Sequence, residues 1–167
     1  METNDIKLTV LKDAVCTSKY GVKRNIKCTN GKTVVDVHSG VDLVSKTGNK
    51  DLLAVADGKV IYLTHNDGTG AKTIVTAYHN ILPFGFVLLV LYTHCDSFSV
   101  KNGQAIKKGQ KIATLGATGN VSAAHVHVST YYIPPLTWKD KNGKYYTWNY
   151  KTRDQFEIDP NLLLHVY

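Results

Sequence analysis

The chain has no long apolar stretch and no run that reads as an export signal. Its first residues, Met1-Glu-Thr-Asn-Asp-Ile-Lys7, are polar and lack a basic start followed by an apolar core. The apolar run from Phe84 to Leu91 is far too short to span a bilayer and reads as a buried strand. Apolar residues at a 3.6-residue period are scarce, which argues against a helical fold. No linker, repeat or low-complexity segment is present. Cysteine is sparse, and Cys16, Cys28 and Cys95 form an odd set. Cys16 and Cys28 flank an expected hairpin and pair only in an oxidising compartment; reduced, buried thiols are the expected state in a cytosol. Acidic residues are in deficit, 13 against 20 basic ones, for a net charge of +7. Such a surface favours anionic partners. The lysines are scattered and no nucleic-acid-binding motif accompanies them, so nucleic acid is not expected.

What is present is a series of short β-type runs. They predict strands near Thr33–Val37, Leu53–Val55, Gly58–Thr64, Lys72–Ala77, Phe86–Thr93, Lys111–Leu115, His125–Tyr132 and Tyr145–Trp148. Asn66-Asp67-Gly68-Thr69-Gly70 and Lys141-Asn142-Gly143-Lys144 mark turns. A short helix is expected over Asp96–Val100, and another from Asp159-Pro160, where proline suits the first turn. At 167 residues the chain fits one all-β domain, mainly an antiparallel sheet, with a useful core.

Two short residue pairs carry the chemistry. One lies in His38-Ser39-Gly40-Val41-Asp42, the other in His125-Val126-His127. Imidazole and carboxylate suit Zn²⁺, whose catalytic sites take three protein ligands and keep one position open. The pairs supply three ligands and leave one histidine for proton transfer. Val126 and Val128 alternate with the histidines, so His125 and His127 share one face of a strand. Both can bind metal, or one binds while the other faces the water. Gly40 and the β-branched Val34, Val35, Val37 and Val41 argue against a helix at the first pair. A strand bending at Gly40 brings His38 and Asp42 to one point. Each pair alone is weak, because both patterns arise by chance in ordinary sheets.

The surrounding blocks are more specific. They are His38-Ser-Gly-Val-Asp-Leu43, Leu53-Ala-Val-Ala-Asp-Gly-Lys-Val-Ile61, Tyr92-Thr-His94, Val100-Lys-Asn-Gly-Gln-Ala-Ile-Lys-Lys-Gly-Gln-Lys-Ile112 and Gly116-Ala-Thr-Gly-Asn-Val-Ser-Ala-Ala-His-Val-His127. In this order they resemble the lysostaphin-type, or LytM-type, zinc endopeptidases of bacterial cell walls. Thr17-Ser-Lys-Tyr-Gly-Val-Lys-Arg24 resembles the family's opening Ser-x-Phe-Gly-x-Arg segment, and Ile158-Asp-Pro160 its closing Asp-Pro. The resemblance covers roughly residues 14 to 165. It implies a lead over residues 1–13, one catalytic domain over 14–167, and an antiparallel sheet with loops around a zinc groove. It makes His38, Asp42 and His127 the ligands of one zinc per chain, and His125 and His94 the catalytic histidines beside it. Departures fall elsewhere: Lys32 stands where several relatives carry a tyrosine, and Ala123-Ala124 where a proline often precedes the first histidine. Two stretches look inserted or divergent, Tyr78–Val90 and Tyr131–Glu157, and they are expected to flank the groove.

The activity so implied is cleavage of a peptide bond in the stem or cross-bridge of peptidoglycan, with the anionic wall as partner and no membrane span. The alternatives are an N-acetylmuramoyl-L-alanine amidase, a non-catalytic wall-binding or activator module, and a structural zinc site. A wall hydrolase without an export signal points to a phage lysis or virion-associated enzyme, part of a larger assembly, or to a domain cut from an exported chain. His65, His79 and His165 lack a partner pattern and read as structural or solvated. On a strand, Cys95 points away from His94, which disfavours a ligand role. The aromatics Tyr131, Tyr132, Trp138, Tyr145, Tyr146, Trp148 and Tyr150 read mostly as cross-strand packing, with one or two left for substrate contact.

Overall fold

The computed structural model describes residues 7–28, 31–134, 137–139, 141–142, 145–147, 154 and 156–164. The chain begins with β1 (Ala14–Ser18), β2 (Lys23–Lys27), β3 (Thr33–Val37), β4 (Val41–Ser45) and β5 (Asp51–Leu53). It continues through β6 (Gly58–Thr64), β7 (Lys72–Tyr78), β8 (Val87–Phe98), β9 (Ala105–Ile106) and β10 (Lys111–Leu115). It closes with β11 (Val126–Ile133), β12 (Thr137–Lys139), β13 (Tyr145–Thr147) and β14 (Glu157–Ile158). A ten-stranded sheet runs β1-β4-β11-β8-β7-β6-β9, with β5, β10 and β14 attached at its side. The pairs β2–β3 and β12–β13 form separate two-stranded sheets. The named strands pair antiparallel, as the turn signals and period-2 runs predict. The 3₁₀ turns include Pro83–Gly85 and Pro160–Leu162. Among the described residues, no helix is long and apolar enough to cross a membrane.

Strand β8 shows why the run before the Tyr-Thr-His block is continuously apolar. Leu88, Val90 and Tyr92 enter the main core on one face. Val87, Leu89 and Leu91 join a second cluster with Val75, Tyr131 and Ile133 on the other. A strand buried on both sides has no polar face to alternate. The second cluster's face turns polar towards one end of the sheet, where Ser129, His127 and Thr93 follow Tyr131 and Leu91 at two-residue spacing.

Several expectations need correction. Asp96–Phe98 continue β8 and are not helical, because Thr114 and Ala113 of β10 pair with Ser97 and Phe98. Strand β5 ends at Leu53, two residues short of the expected end. Phe84 is not in the buried strand: it sits 87% exposed in the Pro83–Gly85 turn with φ +59°. Leu8, Val10 and Leu11 are buried in the core, and Leu8 bridges to Leu164, so the expected lead packs into the domain from Leu8 onward. The β7–β8 loop does not flank the groove. Tyr78 pairs with Leu88 beside that loop, whereas the site lies at the other end of β8, where His127 pairs with Thr93.

Candidate metal centre

A polar row crosses four adjacent strands. Ser18 on β1 pairs with Asp42 on β4, Asp42 with His127 on β11, and His127 with Thr93 on β8. The neighbours of Asp42 and His127 in sequence, Val41, Leu43, Val126 and Val128, are fully buried on the opposite face. Alternation therefore aims carboxylate and imidazole outward while four apolar side chains anchor the strands. Gly40 lets β4 start close to β11. A Cβ there would overlap the Val128 carbonyl oxygen and come within 2.8 Å of His127 Nε2.

His38, just after β3, closes the group. Its Nε2 lies 2.9 Å from His127 Nδ1 and 3.0 Å from Asp42 Oδ1, and those last two atoms are 3.1 Å apart. Ligands roughly 2.0–2.1 Å from a tetrahedral zinc stand roughly 3.3 Å from one another, so the three atoms fit such a shell closely. The proton on His38 is placed by its other nitrogen. Nδ1 donates to the Lys19 carbonyl at 3.0 Å, and a carbonyl can only accept. Neutral His38 therefore turns a bare Nε2 lone pair inward. His127 has the opposite orientation, with Nε2 held by Ser129 Oγ at 2.9 Å and Nδ1 inward. Two nitrogens and a carboxylate oxygen converge here, His38 and Asp42 buried and His127 half-buried, a donor set that could hold a cation.

His94 and His125 lie beside the triad. Their ring centroids are 4.9 Å apart, and His94 stands edge-on to His127 at 6.3 Å. His94 donates Nδ1–H to the Thr118 carbonyl at 2.7 Å, and His125 to the Ala123 carbonyl at 2.8 Å. Each Nε2 is thereby left for the cleft, that of His125 lying 3.5 Å from Asp42 Oδ1. His94 has φ +69°, unusual for a residue with a side chain. The local break in alternation lets Thr93 and His94 both line the cleft while Cys95 is buried in the core. Cys95 thus points away from the site, and all three cysteines are free. His65 and His79 are exposed, and His165 lies outside the described residues.

The cleft has two arms. One is lined by Val34, Tyr62, Asp67, Tyr131 and Glu157, the other by Thr17, Lys27, Val121, Ser122 and Ala124. Arg24, Ile26, His94 and Asn120 line both. Of the aromatics, Tyr131 contributes to the first arm and to the second core cluster, while Trp148 and Tyr150 lie outside the described residues. Residue-by-residue reading did not single out Arg24, Ser129 or Thr118. Arg24 had a signal in the opening segment that ends with it. Ser129 follows His127 at strand spacing, on the same face.

Charge in the site is strongly coupled. Burial disfavours the Asp42 carboxylate, but its polar contacts with His125, His127 and His38 outweigh burial and hold its pKa far below the usual range. Burial pulls His94 down to about 4, and also lowers His127. His125 is raised, because its hydrogen bonds to Asp42 and Ala123 together outweigh burial. A histidine depressed from 6.5 in the folded state binds its proton more readily when unfolded. Between pH 6.5 and about 4 the unfolded chain therefore takes up more protons, and stability falls as pH falls. Metal-stripped protein should melt at progressively lower temperature across that window. His94→Asn, whose side-chain amide can replace the Nδ1 donor, should flatten the trend; an unchanged slope in a pH series of thermal melts counts against this origin.

Comparison with known proteins places these features in a lineage. The model of peptidase family M23 matches residues 36–145. The chain is 35% identical over 111 residues to the peptidoglycan DD-endopeptidase ShyB of Vibrio cholerae, covering 66% of this chain and 24% of that protein. It is 34% identical over 95 residues to the murein hydrolase activator NlpD of Escherichia coli, covering 57% of this chain and 23% of that protein. The chain spans about a quarter of the length of these curated relatives. Its fold matches the catalytic domain of the antimicrobial peptidase lysostaphin from Staphylococcus simulans, with a TM-score of 0.57 at 22% identity. That match covers 87% of this chain and 88% of the other.

Proposed function

Because the chain belongs to peptidase family M23, we propose that it is a zinc-dependent endopeptidase cutting a peptide bond in the stem or cross-bridge of peptidoglycan. The observation that carries this reading is the convergence of His38 Nε2, Asp42 Oδ1 and His127 Nδ1 within about 3 Å, with two further histidines on the open side. His38, Asp42 and His127 would hold the metal. Zinc bound there supplies Lewis-acid activation of water and of the scissile carbonyl.

The chain's own groups do the rest. Thr118 and Ala123 hold the rings of His94 and His125 through Nδ1, which fixes the direction of each Nε2. Those two atoms are placed to orient the attacking water, hydrogen-bond the developing oxyanion and deliver a proton to the leaving amine. The two arms of the cleft give an extended chain room on both sides of the triad. The net charge of +7 attracts the protein to an anionic wall polymer.

The likeness to a murein hydrolase activator supports a second reading, a non-catalytic activator of the same fold. Digestion of purified sacculi separates the two. Zinc-loaded protein should release soluble fragments carrying new peptide amino termini, with the sugar–peptide bond intact by mass spectrometry. Fragments with that bond cut would make the protein an amidase. No release at all would favour the activator.

A further inference from the structure

We propose that Arg24 is a positioning residue that fixes Asp42 as a one-oxygen ligand and fastens the β2–β3 hairpin, one wall of the cleft, to the metal site. The inference rests on the reading of the triad as a zinc site. It concerns residues outside the triad.

All three guanidinium nitrogens of Arg24 donate hydrogen bonds. Nη1 donates to Asp42 Oδ2 at 2.8 Å and to Ser18 Oγ at 3.2 Å. Nε donates to Asp36 Oδ1 at 2.9 Å, and Nη2 more weakly to Asp36 Oδ2 at 3.4 Å. The planar fork suits Asp36, and the remaining corner reaches Asp42. With Oδ2 held by Arg24, only Oδ1 of Asp42 faces His38 and His127. The carboxylate is therefore kept from swinging to present both oxygens, and a position on the cation stays open.

Among the described residues, β2 and β3 pair with each other as a separate two-stranded sheet. A lone two-stranded ribbon is marginal in water and needs an outside hold. Val35 and Val37, which share a face with Lys23 and Asn25, are exposed, so that face of the ribbon supplies no packing. The opposite face carries Arg24, Ile26, Val34 and Asp36, all lining the cleft. From that face Arg24 reaches Ser18 on β1 and Asp42 on β4, two strands of the main sheet. Asp36 offsets the charge of Arg24 and joins the far strand of the hairpin to the same clamp. A chain seated against Ile26 and Val34 thus rests on a wall hinged to a metal ligand.

Zinc affinity measured by competition with a chromogenic chelator tests this without reference to activity. Arg24→Ala should bind zinc roughly 10- to 100-fold more weakly, the usual cost of removing a partner that orients a ligand. Arg24→Lys should recover part of the loss, since one ammonium can reach Asp42 but cannot fork onto Asp36. Asp36→Ala should lose less than Arg24→Ala, and adding it to Arg24→Ala should cost nothing more, because it acts through the arginine. If wild-type protein binds no zinc, the metal-site reading itself fails. If wild type binds and folded Arg24→Ala matches it within twofold, only the role of Arg24 fails. Should Arg24→Ala not fold, Asp36→Ala decides: an affinity equal to wild type overturns the clamp.

Discussion

Replacing Asp42 or His127 by alanine is expected to remove the metal altogether. A catalytic zinc held by three side chains has no ligand to spare, and each of these supplies one of three converging atoms. Compensation from nearby is blocked by geometry. His94 and His125 are tethered through Nδ1 to carbonyls, at 2.7 and 2.8 Å, and neither ring can pivot into the gap without giving up that bond. Loss of Asp42 also strands Arg24, whose Nη1 would keep only Ser18. Elemental analysis after gel filtration should find about one zinc per chain in the wild type and almost none in either variant. Wall hydrolysis should fall to background in both. Stoichiometric zinc in both variants would sink the assignment of these residues as ligands. Asp42→Asn sharpens the test: it keeps the shape and the oxygen but not the charge, and should bind zinc more weakly than wild type while folding normally.

Strand alternation is a short-range rule, so the sequence shows which residues share a face, while the division into three ligands and two catalytic histidines is what the family resemblance implies. His125-Val126-His127 states which residues share a face, and Val41 and Leu43 around Asp42 state which side is buried. Long-range placement was less legible. His94 lines the cleft through a left-handed backbone in mid-strand, and no residue type there announces it. Lys23–Lys27 is not among the expected strands and lies where a hairpin is expected between Cys16 and Cys28; instead it forms β2 by pairing with Thr33–Val37 residue for residue, while β1 pairs with β4. Asp96-Ser97-Phe98 has the look of a helix start, but β10 offers backbone partners and Phe98 packs on the core, so the strand continues. Arg24 is the clearest loss. An arginine alternating with lysine and asparagine looks like solvated surface, and only the fold sets it between Asp36 and Asp42. The Tyr78–Val90 segment does not flank the groove for a topological reason. A hairpin loop and the far ends of its strands lie at opposite edges of a sheet, and the site occupies the far ends.

Substituting His94 or His125 by alanine should leave zinc in place and stop turnover. Both rings sit beside the triad without belonging to the set of three converging atoms, so metal content should stay near one per chain. What is lost is a held Nε2. Removing a general acid–base group or an oxyanion donor costs roughly 100-fold or more in rate, about 3 kcal/mol of transition-state stabilisation. The loss should appear in kcat with little change in KM, since neither ring is needed to seat the rest of an extended chain in the two arms of the cleft. The rival arrangement makes His125 a ligand and His127 the proton carrier, and the distances bear on it. His127 Nδ1 lies 3.1 Å from Asp42 Oδ1 and 2.9 Å from His38 Nε2, whereas His125 Nε2 is 3.5 Å from the same carboxylate oxygen and outside the converging set. The backbone agrees, because His127 is paired directly with Asp42 across β11 and β4, while His125 stands before β11 and bridges to Gly116. Paired measurements of zinc content and wall hydrolysis separate the two arrangements. A metal-free His125→Ala protein alongside a metal-loaded, inactive His127→Ala protein would reverse the assignment. Metal-loaded, inactive His94→Ala and His125→Ala proteins would place both histidines in the chemical step.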